Sequence, residues 1–220
     1  VNLVVNEIPQ ATFTSPSETC DGEVIQLKFN CTSGASPWII SYSVNGVPTS
    51  IPLNNAIDSI AISPSTQTIY TIDSISDNNN CKNNITQSLI ITTNPLPEVT
   101  LSGGGSICDD GSTTDVIFTI NSGTPPYNLN YSAGLISHSQ SDIGNISTIS
   151  TQEAGIYTIQ DVIDSKGCEA VSISGSAYVN INPLPEANVS LYPQPADITN
   201  PEITFIDLST GHIDGTWNFD

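Results

Sequence analysis

The sequence predicts an all-β chain built from tandem sandwich modules, and three observations carry that prediction. The first is a period. Asn94-Pro95-Leu96-Pro97-Glu98 recurs as Asn182-Pro183-Leu184-Pro185-Glu186, with a worn copy at Asn6-Glu7-Ile8-Pro9-Gln10, so Pro9, Pro97 and Pro185 stand 88 residues apart. A fixed period with a Pro-rich joint marks modules that each fold around their own core. The second is composition: Thr, Ser, Ile and Val dominate, while Leu, Lys, Glu and Arg, the residues of helices, are scarce. The third is strict alternation of apolar and polar residues in the clearest runs.

Taken in order, Val1–Asn6 reads as a strand that matches Leu89–Asn94 one period later. The chain is thus expected to open on the last strand of a preceding module (1–7), and Val1, in a sequence without Met, is not expected to be an initiator. The first full module is placed at 8–94. Its best strand is Glu23–Cys31, with Ile25, Leu27, Phe29 and Cys31 on one face. A second strand aligns Trp38, Ile40, Tyr42 and Val44, and Asn45-Gly46 then signals a tight turn. Further strands are expected at Ile57–Ile62, Gln67–Ile75 and Ile85–Thr92.

The second module, 95–182, repeats the plan. Val116, Phe118 and Ile120 match Leu27, Phe29 and Cys31; Tyr127, Leu129 and Tyr131 match Trp38, Ile40 and Tyr42; Tyr157-Thr158-Ile159 matches Tyr70-Thr71-Ile72. Single-residue slips between these blocks are loop-length changes, which surfaces tolerate. From 183 to 220 the pattern changes, and two strands of a further, incomplete module are expected. The linker prolines Pro9, Pro95, Pro97, Pro183 and Pro185 fix φ and lack an N–H, which predicts extended, stiff joints.

The cysteines repeat too: Cys20 matches Cys108, and Cys81 matches Cys168. The simplest expectation is one disulfide per module, Cys20–Cys81 and Cys108–Cys168. Each would close a loop of about sixty residues, worth roughly 3–4 kcal/mol. Four reduced thiols are the alternative; a metal site is disfavoured because no Cys-x-x-Cys occurs and neither His138 nor His212 stands at ligand spacing. Cys31 is left over among apolar neighbours and is expected to be a buried free thiol. Disulfides place the chain in an oxidising compartment outside the cytosol.

Against 22 acidic residues the chain has three lysines and no arginine, for a net charge of −19. That balance argues against nucleic acid as a partner and against docking on anionic lipid. No apolar run is long enough for membrane insertion as a helix. The sequence offers no catalytic residues, and the chain is expected not to be an enzyme. His138 and His212 read as turn residues, Asp109-Asp110 and Asp161/Asp164 as loop carboxylates, and Gly103-Gly104-Gly105 as a flexible turn without the Lys-Ser/Thr of a phosphate loop. No cofactor is expected. Calcium is the one alternative, with Glu98 and Glu186 at the joints and Asp109 and Asp110 as oxygen ligands. Asn30, Asn84, Asn145 and Asn188 begin Asn-x-Ser/Thr sequons of the kind that a chain this rich in Asn, Ser and Thr contains by chance.

Several of these segments carry a resemblance: the Leu-Pro-Glu joint, Ile107-Cys108-Asp109, Gly123-Thr124-Pro125-Pro126-Tyr127, Gly155-Ile156-Tyr157-Thr158-Ile159 and Asp164-Ser165-Lys166-Gly167-Cys168. Module one has weaker forms, such as Gly34-Ala35-Ser36-Pro37-Trp38. In these the chain resembles the Ig-like and PKD-like repeats of very large Bacteroidota surface proteins, including gliding-motility adhesins and other cargo of the type IX secretion system. Pro201–Asp220, with Trp217-Asn218-Phe219-Asp220, is similar to the first half of a PKD-type module. The resemblance implies seven-stranded Ig-like sandwiches, a cell-surface location and a structural stalk or filament whose partners are neighbouring repeats of the same polypeptide, with the surface ligand left open. Two alternatives remain: a self-assembling extracellular filament that uses Val1–Asn6 as a donor strand to other copies, and a carbohydrate- or protein-binding accessory module of a secreted enzyme.

Overall fold

The computed structural model describes residues 4–192, 199, 202–211, 215–216 and 218. Parts of the opening strand (Val1–Leu3), and Pro201, His212, Trp217, Phe219 and Asp220 of the tail, lie outside the described residues. Among the described residues there are eighteen strands and no helix. They gather around two separate buried apolar clusters.

The first cluster is enclosed by β1 (Gln10–Thr14), β2 (Glu18–Cys20), β3 (Ile25–Ser33), β4 (Trp38–Val44), β5 (Val47–Leu53), β6 (Ile57–Ile62), β7 (Thr68–Ser76) and β8 (Lys82–Asn94). One sheet has the order β1-β3-β6 and the facing sheet the order β2-β8-β7-β4-β5. In strand letters these are A-B-E and A′-G-F-C-C′, which is the arrangement of an Ig-like sandwich. The alternation read from the sequence sets the inward face: Ile25, Leu27, Phe29 and Cys31 are all buried, as are Trp38, Ile40 and Tyr42. Phe29 packs edge-on against Phe13 and tilted against Tyr42. Leu27, Phe29 and Ile72 are fully buried, so apolar packing fills the space between the sheets. At the seam between β1 and β8 the Gln87 side chain takes the place of a backbone ladder: its carbonyl accepts the Phe13 N–H at 3.1 Å and its amide donates to the Phe13 carbonyl at 3.0 Å.

The second cluster is enclosed by β9 (Glu98–Cys108), β10 (Thr114–Ile120), β11 (Tyr127–Ala133), β12 (Ile136–Ile143), β13 (Ile146–Thr151), β14 (Gly155–Asp164), β15 (Ser172–Gly175) and β16 (Ala177–Asn182). The order is the same except that β15 adds in parallel to the start of β9, and β9 runs through both sheets. Its first half, to Gly103, pairs with β10, and its second half, from Gly104, pairs in parallel with β16. Gly103-Gly104-Gly105 is therefore a crossing inside a strand, not a free turn. The three residues take φ of 92°, 79° and 144°. A Cβ on Gly103 would stand 2.2 Å from the Asp115 carbonyl oxygen, and one on Gly104 2.5 Å from that of Tyr178. Only glycine permits this backbone and this approach. In the first group the same switch is made by a break, Ser15-Pro16-Ser17, between β1 and β2.

Strands absent from the sequence reading share a reason. β5 contains Pro48 and Pro52, which read as strand breakers, yet it is an edge strand, where a missing N–H costs no ladder bond. β12 is polar and also lies at an edge. Asn45-Gly46 makes the expected tight turn, with positive φ at both residues. Val4–Asn6 carries no strand, and among the described residues the first strand begins at Gln10. Beyond the second cluster, β17 (Val189–Tyr192) and β18 (Thr204–Asp207) form an antiparallel hairpin.

Candidate functional site: the joint

Two of the cysteines that the sequence marked as a chemical framework, Cys20 and Cys168, converge on the joint between the two groups of strands. The expected pairing does not occur. Cys20 bonds Cys168, with Cα atoms 5.6 Å apart and a sequence separation of 148; Cys31, Cys81 and Cys108 are free. Strand length explains the correction. Cys20 pairs in register with Asn94 at one end of β8, and Cys81 immediately precedes Lys82 at the other end. At ~3.3 Å per residue the two lie on the order of 40 Å apart, far beyond the reach of a disulfide. In the second group Cys108 pairs with Asn182, while Cys168 sits at the opposite end of the sandwich.

Cys168 is held there by Asp164. The Asp164 carboxylate accepts the N–H groups of Cys168, Lys166 and Thr124, each at 2.9 Å. It thus fastens the loop after β14 to the loop before β11. Asp77 does the same for Cys81, accepting from Cys81 (2.9 Å), Asn79 (3.0 Å) and Ala35 (3.0 Å). Both aspartates are buried. The N–H donors, that of Ala35 foremost, hold the Asp77 carboxyl below the usual carboxylate range. These two clamps were missed in the sequence. The signal was present: each Asp precedes its Cys by four residues, and both pairs keep the same offset.

Around the disulfide the joint is short and well packed. Only Pro95-Leu96-Pro97 separates β8 from β9. Pro97 is buried against Gly123, where a Cβ would come within 2.9 Å of Pro97 Cγ. The Ser122 hydroxyl donates to the Leu96 carbonyl. Across the same joint Lys166 Nζ lies 2.7 Å from the Glu18 carboxylate. That hydrogen bond, with a further one from Asn94, holds the Glu18 carboxyl below its ordinary value. The Pro9 joint is built alike: Pro9 is buried, a Cβ on Gly34 would come within 2.8 Å of Pro9 Cβ, and the Ser33 hydroxyl donates to the Ile8 carbonyl at 2.7 Å. At the third joint Pro183 and Pro185 are exposed, and Gly211 approaches Pro185.

The remaining sequence candidates fall elsewhere. Cys31 is buried on β3, and burial pushes its thiol up. His138 is not in a turn: it lies on β12, stacked on Tyr131 with centroids 5.1 Å apart, and its Nε2 is 2.9 Å from the Glu153 carboxylate. Asp161 accepts a hydrogen bond from Asn130, apart from the Asp164 clamp. Glu98 opens β9, whereas Asp109 and Asp110 follow its far end and Glu186 pairs with Thr210. The oxygen ligands suggested for calcium are thereby split between two ends of a sandwich. Among the described residues no three His, Cys, Asp or Glu side chains gather as metal ligands.

No family model and no curated protein matches the chain. Among solved structures it is similar to the human OSCAR ligand-binding domain (9% identity, 79% of this chain and 97% of that chain, TM-score 0.31). It is similar also to the amphioxus IgVJ-C2 molecule (12% identity, 86% and 98%, TM-score 0.31) and to the ectodomain of mouse nectin-like molecule 4 (11% identity, 80% and 65%, TM-score 0.31).

Proposed function

We propose that this chain is a non-catalytic structural segment of a secreted cell-surface protein, in which Ig-like modules at 8–94 and 95–182 stand end to end as a stiff stalk. The observation that carries the reading is the Cys20–Cys168 bond across a three-residue Pro-Leu-Pro joint. A binding or catalytic module needs no covalent lock on the angle to its neighbour, whereas a stalk is only as stiff as its joints. The disulfide belongs to an oxidising, extracellular setting. A charge of −19 keeps neighbouring stalks apart and soluble. The resemblance to gliding-motility adhesins and type IX secretion cargo supports a role in displaying an adhesive tip. The hairpin β17–β18 would then open the next module, at 183–220, of PKD-like type.

The filament alternative needs an unfilled sheet edge for a donor strand. In both groups the last strand, β8 or β16, comes from the chain itself. The accessory-module alternative calls for aromatic rings gathered on one face, but among the described residues the exposed Tyr178, Tyr192 and Phe205 are spread over β16, β17 and β18.

Small-angle scattering of the chain in oxidising and reducing buffer tests the stalk. Each module should add about 40 Å of length, the span of its longest strand. Reduction should broaden the distribution of lengths. A maximum dimension close to that of a single module, with the two groups folded side by side, would sink the proposal.

A further inference from the structure

The pairing at the joint gives a rule for the two cysteines that have no mate. The joint that has a group on either side takes one cysteine from the group before it and one from the group after it. At the Pro97 joint these are Cys20 and Cys168, and they are bonded. At the Pro9 joint the group after it presents Cys81, held by Asp77 as Cys168 is held by Asp164. At the Pro185 joint the group before it presents Cys108, in register with Asn182 as Cys20 is with Asn94. Cys81 is partly exposed and Cys108 exposed, unlike the buried Cys31. No cysteine follows Cys168 in the sequence and none precedes Cys20.

From this we infer that Cys81 and Cys108 are inter-module disulfide sites. Cys81 takes a cysteine at the Cys20 position of a like module before Pro9, and Cys108 takes a cysteine of the module that follows Pro185. The bonded geometry at the middle joint is a second observation, independent of the free thiols, since it shows what residues at these positions do when a neighbour is present. The partner modules belong to the same polypeptide. At the Pro9 and Pro97 joints the ground is already occupied by the chain's own linker, with Ile8 and Leu96 hydrogen-bonded into the following group. A second copy would have to displace it. Formation is ordinary thiol–disulfide exchange: two S–H bonds and the S–S bond of a disulfide-bearing oxidant break, one Cys–Cys bond forms, and the oxidant leaves as two thiols. The stalk would then be covalently laddered at every joint. The inference rests on the stalk reading.

The test is non-reducing peptide mapping of the full native polypeptide, denatured in an excess of alkylating agent. The expected result has the Cys20 peptide joined to the Cys168 peptide. Cys81 and Cys108 would each be joined to a cysteine peptide from outside these 220 residues, and Cys31 would be alkylated. Alkylation of Cys81 and Cys108 in a digest that also contains peptides of further like modules would overturn the inference and leave the stalk standing. Alkylation of both in a digest without such peptides would overturn the two together. A Cys81–Cys108 link would overturn it as well, in favour of bonding between copies.

Discussion

Cys20 faces Asn94 across the parallel strands β2 and β8, and this register places it at the joint rather than beside Cys81. A repeat that looks like one disulfide per module instead yields a disulfide across the Pro97 joint. The covalent constraint therefore acts on the angle between two sandwiches and not on the interior of either.

Removing it should change orientation more than stability. A closed loop of 148 residues would be worth about 5 kcal/mol of chain entropy if the protein unfolded as a single unit. With two separate cores, Cys20→Ser should move either melting transition by less than about 1 kcal/mol. Backbone ¹⁵N relaxation should then give different tumbling times for the two groups of strands, where the oxidised protein gives one. A large loss of stability with unchanged tumbling would contradict the separate-core picture.

The same separation is checked from inside the cores. Phe29 and Phe118 are fully buried equivalents in the two clusters. Each truncated to Ala should cost about 3–5 kcal/mol. In calorimetry each variant should lower one transition and leave the other in place.

The Asp77 clamp predicts acid sensitivity. The folded-state pKa of Asp77 lies below the ordinary 3.8. Its stabilising effect is therefore complete above that value and fades as pH falls through the lower folded value. Denaturant midpoints should be flat from pH 8 to 5 and fall below about pH 4. Asp77→Asn should flatten the acid limb for the first core. Asp164→Ala leaves three N–H groups without their acceptor and should cost about 2–4 kcal/mol in the second.

The sheet crossing in β9 predicts a contrast between two glycines. Gly103→Ala puts a methyl into the Asp115 carbonyl, and the backbone must move; the cost should be about 3 kcal/mol. Gly134 also has positive φ but open space around its Cβ position. Gly134→Ala should cost only about 1 kcal/mol. Equal effects in chemical denaturation would show that conformational strain, not the close approach, decides both.

Much of the fold was legible because one-dimensional patterns carry it. Alternation at Ile25–Cys31 and Val116–Ile120 told inside from outside, and the turn at Asn45-Gly46 was readable because few residues accept its φ angles. Two edge strands were not legible: the prolines of β5 and the polar run of β12 lack the signal that burial on a face produces, whereas the alternating edge strand β6 was read at Ile57–Ile62. The Gly103-Gly104-Gly105 run looked like a turn because glycine marks close backbone approach and loose chain with the same letter.

The sequence by itself determined the 88-residue period, the all-β class, the inward faces and the equivalence of Cys20 with Cys108 and of Cys81 with Cys168. Only the tertiary structure decided which sulfurs meet. Periodicity says that two residues are equivalent, but not which end of a strand each occupies. A thirteen-residue strand carries Cys81 tens of ångströms from Cys20 and brings Cys20 to the next module instead. The pairing follows from strand length and direction, which are properties of the folded sheets.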